Sequence, residues 1–232
     1  MKKGIKVFVS ITLCALGCGI IAFWCYLNFY FGGSPIEKQR FKNEVVLYLE
    51  ETYHQQIEVI DVDYAFKSKS YYADVKTTGD SQILFRVSQT KNGEMVDNYI
   101  MEYWKDGIHK DLSNYATEIF NFKGSGSVYF TEGLPHSLKH IDRAAIPEFL
   151  SVRNEFKAKI FAFIDVYRQF DDKNYDEISE IYNVIQYVFE KYHFDSMEIT
   201  YSDDTKVNMT KDEYDKLKEK DEITDFIQKT KK

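Results

Sequence analysis

The sequence predicts an α+β protein carried behind one N-terminal transmembrane helix. Three observations predict it. Residues 7–31 hold no charged side chain. Between residues 57 and 104, short apolar runs alternate with a period of two and are separated by turn residues. Beyond residue 128, strand-like runs interleave with two stretches that open on capping-box pairs, Asn174 with Glu177 and Thr210 with Glu213.

The uncharged run is 25 residues long, and a helix rising 1.5 Å per residue needs only about 20 to cross a bilayer. Lys2, Lys3 and Lys6 precede it. The run exceeds the roughly 7–15 residues of a signal-peptide apolar region, and no A-x-A-like site ends it, so an uncleaved signal-anchor is expected. Ala15-Leu16-Gly17-Cys18 partly matches a lipoprotein cleavage site. Against that reading, Ala stands three positions before the cysteine, and residues 19–31 stay apolar where a lipidated chain turns polar. Lys38, Arg40 and Lys42 nearly balance the charge across the span. A six-residue tail with three lysines still resists translocation, whereas long domains cross largely regardless of charge. The expected topology is single-pass in the cell membrane, with residues 32–232 extracytoplasmic.

All three cysteines, Cys14, Cys18 and Cys25, fall inside this span. On a helix they point within about 40° of one another, with Ala22 near the same face. That stripe is a candidate transmembrane packing face, against the plainer reading that small residues simply occur in spans. The external part has no cysteine, which excludes disulfides, thiolate metal sites and cysteine catalysis there.

The organisation reads as a tail and anchor over residues 1–31, a first α+β domain over 32–123 and a second over 124–232. Gly32-Gly33-Ser34-Pro35 breaks the anchor helix. Phe41, Val45, Tyr48 or Leu49, and Thr52 then recur at helical spacing over about 36–54. Four antiparallel strands are expected at 57–66, 71–76, 82–88 and 95–104, the last pair turning at Asn92-Gly93. Leu112, Tyr115, Ile119 and Phe122 suggest a connecting helix over 111–122. Gly124-Ser125-Gly126-Ser127 reads as a linker, and a small β-α-β-β-α unit follows it. Its elements are a buried strand at 157–167 (by periodicity alone a helix fits too), a helix after Asn174, a hairpin at 197–209 and a last helix toward Lys220.

Of 232 residues, 37 are acidic and 30 basic. The part beyond residue 31 sets 37 acids against 27 bases, a net charge of −10, which excludes a nucleic-acid binder built on a basic face. The 18 Tyr and 18 Phe read as aromatic core packing. Glu132, His136 and His140 stand four residues apart and carry N/O donors that suit zinc. Gly133 and Pro135 interrupt that spacing, so the three are weak metal candidates and a solvated loop is the better reading. Gly124-Ser125-Gly126-Ser127 lacks the G-x-S-x-G spacing of a nucleophile elbow, and neither phosphate-cradling glycine motif occurs. The carboxylate pairs Glu50-Glu51, Asp171-Asp172, Asp203-Asp204 and Asp221-Glu222 are expected in turns or at helix ends, where water keeps them ionised.

Gly33-Ser34-Pro35 with Lys38, Tyr48-Leu49-Glu50-Glu51-x-Tyr53, Tyr64-x-Phe66-Lys67, Tyr71-Tyr72-Ala73-x-Val75 and Asp97-x-Tyr99 stand in order along the chain. In those motifs the chain resembles the YfjL-like proteins of Bacillus and relatives, a membrane-anchored family. The resemblance implies a single-span envelope protein of a Gram-positive bacterium and brings no catalytic residue or cofactor with it. The function expected from all this is a membrane-anchored extracytoplasmic module that binds another envelope protein or peptide. An envelope hydrolase whose Asp, Glu and His converge only in three dimensions, and a self-associating anchor protein, are the alternatives.

Overall fold

The computed structural model describes residues 2–53, 57–78, 82–90, 92–121, 123–131, 141–142, 145–153, 158–171, 174–217 and 220–228. The chain folds as two compact units, Met1–Tyr99 and Ile100–Lys232, each α+β. The division therefore falls at Tyr99 and not near residue 123, because the helix expected to connect the units is part of the second unit's core.

In the first unit, α1 (Lys2–Gly32) runs unbroken through the apolar stretch and is long and apolar enough to cross a membrane. It ends where Gly33 takes φ +75, a left-handed conformation that glycine adopts without strain. Ser34 then accepts from the Glu37 N–H and Pro35 opens α2 (Pro35–Thr52), the residue types that favour a helix start. Phe41, Val45 and Leu49 lie one turn apart and are buried. Strands β1 (Ile57–Ala65), β2 (Ser70–Thr77), β3 (Leu84–Gln89) and β4 (Met95–Asp97) form the expected antiparallel meander in sequential order. Val62, Ala73, Val75, Phe85 and Val87 are buried in alternation along it. A bulge between Val59 and Asp61 leaves Ile60 half exposed at the edge of the sheet.

The fourth strand is shorter than the run 95–104 suggested. Asp97 accepts from the Tyr99 N–H at 3.0 Å, and α3 (Tyr99–Ile119) begins there. Ile100, Trp104, Ile108, Leu112, Ala116 and Phe120 form one four-spaced stripe, all buried in the second unit.

The second unit is a five-stranded sheet in the order β5 (Gly124–Phe130), β6 (Ile160–Val166), β7 (Ser196–Tyr201), β8 (Lys206–Thr210), β9 (Ile227–Gln228). Between β5 and β6 lies the one-turn α4 (Phe149–Val152). β6 and β7 are parallel, so the chain crosses over through α5 (Tyr175–Gln186) and a π-helical turn, Tyr187–Lys191. The other neighbours are antiparallel. Ile160, Ala162, Ile164 and Val166 face a helical layer that includes α3 and α5, with Met197, Ile199, Tyr201, Val207 and Met209 beside them. The residues between these form the opposite face.

Gly124-Ser125-Gly126-Ser127 is not a linker but the first half of β5, paired with 163–166. A Cβ on Gly126 would meet Leu112 Cγ at 2.5 Å, and one on Gly124 would meet the Ala116 carbonyl oxygen at 2.6 Å. The glycines are there because a helix backbone lies directly over the strand. At Asn174 the side chain caps α5 through the Asp176 N–H, but Glu177 turns inward and does not complete the box. The Thr210/Glu213 box forms in full, and its helix, α6 (Lys211–Tyr214), stops well short of Lys220.

Candidate functional site

The motifs that carry the resemblance meet in the first unit as structural joints. Asp97 accepts from the hydroxyls of Tyr48 and Tyr53, the latter at 2.8 Å, tying the end of α2 to β4. Tyr71 accepts from the Ser34 N–H at 3.0 Å, and a Cβ on Gly33 would lie 2.8 Å from Tyr64. Phe66, in the β1–β2 turn, packs on Tyr30 and Phe31 with ring centroids 5.0 and 4.8 Å away. Lys38 donates to Asp63 at 2.9 Å. That bond, with one from the Tyr64 N–H, holds the Asp63 carboxyl below its usual range. These contacts tie α1, α2 and the meander together.

Two polar clusters in the second unit do the same work. One oxygen of Asp111 on α3 accepts from Tyr187, Lys191 and Tyr192 on the π-turn and just after it, the ammonium at 2.9 Å. Burial alone would raise the Asp111 carboxyl, but those donors outweigh it and keep it low. Burial and then Asp111 push the Tyr187 and Tyr192 hydroxyls up. Tyr115 stacks on Tyr187 with ring centroids 3.7 Å apart. Beside α5, Arg168 bridges Glu177 and Glu180, and Glu177 is almost wholly buried. Tyr201 lies near Glu177 with its hydroxyl buried outside hydrogen-bonding geometry, and burial pushes that hydroxyl strongly upward.

Two of the edge strands, β5 and β1, have part of their outer backbone engaged by side chains. Ser113 donates to the Gly126 carbonyl at 2.7 Å and accepts from its N–H at 3.1 Å, while Thr117 donates to the Gly124 carbonyl at 2.9 Å. The outer edge of β5 is thus satisfied by α3 along its first half. On the edge strand β1, Asp61 and Asp63 accept from the N–H groups of Val62 and Tyr64, and the bulge interrupts the ladder.

The face of the second sheet turned away from its helices is open among the described residues. There a groove of about 650 Å³ crosses β6, β7 and β8 and reaches the 3₁₀ turn Lys220–Phe226. Phe161, Phe163 and Phe226 give it an aromatic lining, and Glu198, Glu213 and Asp225 give it three carboxylates. Glu213 is held below its usual range by the Thr210 hydroxyl and N–H, which keeps it an anion. Glu198 accepts from Thr200 and from Lys206, the latter at 2.7 Å.

Glu132, His136 and His140 lie outside the described residues, and among the described residues no group of three metal-ligating side chains comes together. Cys18, Ala22 and Cys25 are exposed on α1, the two cysteines as free thiols; the Cys14 side chain is outside the described part. The groove escaped the sequence reading because its residues come from three strands, α6 and a turn spread over 66 positions. The alternation of 160–166 was the available signal, since it leaves Phe161 and Phe163 on the face opposite the core.

The fold thus defines an α+β protein that carries an N-terminal helix long and apolar enough to cross a membrane. Residues 5–112 match the family model described as the YfjL-like N-terminal domain. That match supports membership of the YfjL-like family over a stretch that takes in most of α1, all of α2, the meander and α3 as far as residue 112. No curated protein and no solved structure matches it.

Proposed function

We propose that this chain is a membrane-tethered, extracytoplasmic binding module of a Gram-positive cell envelope, and that its second unit takes a cationic segment of another envelope protein. The groove carries the reading. Phe161, Phe163 and Phe226 supply aromatic faces, and Glu198, Glu213 and Asp225 supply anions, the combination that attracts Lys and Arg side chains. The partly engaged edges of β1 and β5 favour binding on a sheet face over strand addition at those two strands. The three lysines of the short N-terminal tail support an outward-facing orientation.

The test is in-cell photo-crosslinking from position 208, inside the groove, compared with position 50 on α2. The expected result is an adduct formed from position 208 only, joined at a Lys- or Arg-rich segment. Glu198→Gln with Asp225→Asn should reduce it. Equal labelling from both positions, or an adduct indifferent to those charges, overturns the reading.

A further inference from the structure

Beside the last turn of the anchor, the β1–β2 turn carries a feature that the binding role does not use. Phe66 is fixed against Tyr30 and Phe31 at the end of α1. Gly33, pressed on Tyr64, and Ser34, bonded to Tyr71, lock the hairpin in that position. The turn therefore stays level with residues 30–31. Next to Phe66, Lys67 and Lys69 are exposed, and neither has an ion-pair partner among the described residues. The nearby acid, Asp63, is engaged by Lys38. Ile36, in the first turn of α2, is 79% exposed.

The uncharged run of 25 residues spans about 37 Å as a helix, several ångströms more than a hydrocarbon core of about 30 Å. Its end, with Tyr26 and Tyr30, falls in the interfacial zone where aromatic rings settle. A turn level with Tyr30 and Phe31 then meets the headgroups. We propose that the segment Phe66-Lys67-Ser68-Lys69, with Ile36, is a docking surface for the bilayer that holds the anchor: Phe66 and Ile36 enter the interface, and Lys67 and Lys69 pair with anionic phospholipid headgroups. The acidic excess of the chain makes this local cationic patch decisive for orientation, because an anionic surface repels the rest. The proposal rests on α1 spanning the membrane.

The test uses the full chain in nanodiscs of phosphatidylcholine, alone or mixed with phosphatidylglycerol. Ser68→Cys carries an environment-sensitive dye in a background with Cys14, Cys18 and Cys25 replaced by Ala. In the mixed discs the dye should shift to the blue and be quenched by lipids spin-labelled near the headgroup. Lys67→Glu with Lys69→Glu, high salt, or phosphatidylcholine alone should each cut that quenching by roughly twofold or more. Trp24 quenching by brominated lipid reports the span separately. A quenched Trp24 with an aqueous dye in every disc overturns the docking proposal alone. An unquenched Trp24 overturns the span and the proposal with it.

Discussion

The hydroxyl of Ser113 both donates to the carbonyl and accepts from the N–H of Gly126, so one side chain of α3 closes two edge groups of β5. Ser113→Ala leaves both groups without that partner, and about 1–3 kcal/mol of stability should be lost. Gly126→Ala should cost at least as much, because its Cβ would stand 2.5 Å from Leu112 Cγ and α3 would have to move. Urea unfolding followed by circular dichroism measures both. A neutral Gly126→Ala would mean that the helix does not sit on the strand.

Arg168→Met should be far more damaging than its surface position suggests. It leaves the Glu177 carboxylate, 2% exposed, without its counter-ion, and stranding a buried charge costs about 3–5 kcal/mol. Adding Glu177→Leu to that variant should recover much of the loss. A double-mutant cycle on the unfolding free energies checks it, and additive effects would contradict the pairing.

Asp111 predicts a pH dependence. Its carboxyl is lowered in the folded chain, so the stabilisation is present above the ordinary carboxylate value, near about 3.9, and is lost as pH falls through the lowered one. Asp111→Asn should remove that acid-side slope together with about 1 kcal/mol at neutral pH, a modest figure because the carboxylate is more than a third exposed. Comparing the unfolding midpoints of both chains between neutral and acidic pH reads it directly.

Gly33→Ala should disturb the joint between anchor and meander. It forces an alanine into φ +75 and drives its Cβ to 2.8 Å from Tyr64, a combination costing about 1–2 kcal/mol from the backbone alone. Faster proteolysis between residues 33 and 71 in detergent is the expected readout. Unchanged cleavage would show that the elbow is dispensable.

The meander was legible because Ile83, Phe85 and Val87 alternate cleanly and Asn92-Gly93 announces a hairpin. Helix α2 was legible from Phe41, Val45 and Leu49. Two errors share a physical cause. Tyr99, Ile100 and Trp104 satisfy both a strand and a helix period within so short a run, and only the continuation through Ile108, Leu112 and Ala116 decides between them. Gly124-Ser125-Gly126-Ser127 has the composition of a flexible tether, yet its small residues serve close packing under a helix that lies before it in sequence. The groove depends on a parallel crossover that brings Phe161 beside Ser196, and no local pattern encodes that pairing.

Between the end of α1 and the start of α2 lie only Gly33 and Ser34, both engaged by tyrosines of the sheet. An anchor joined by so short and fully packed a joint has no slack, in contrast to a flexible linker whose reach grows with its length. If α1 spans the bilayer, the first unit cannot swing far from it and diffuses as one body with its own helix. Encounters with anything else embedded in that membrane then become a two-dimensional search at raised effective concentration, whereas a ligand far from the bilayer must travel to the protein.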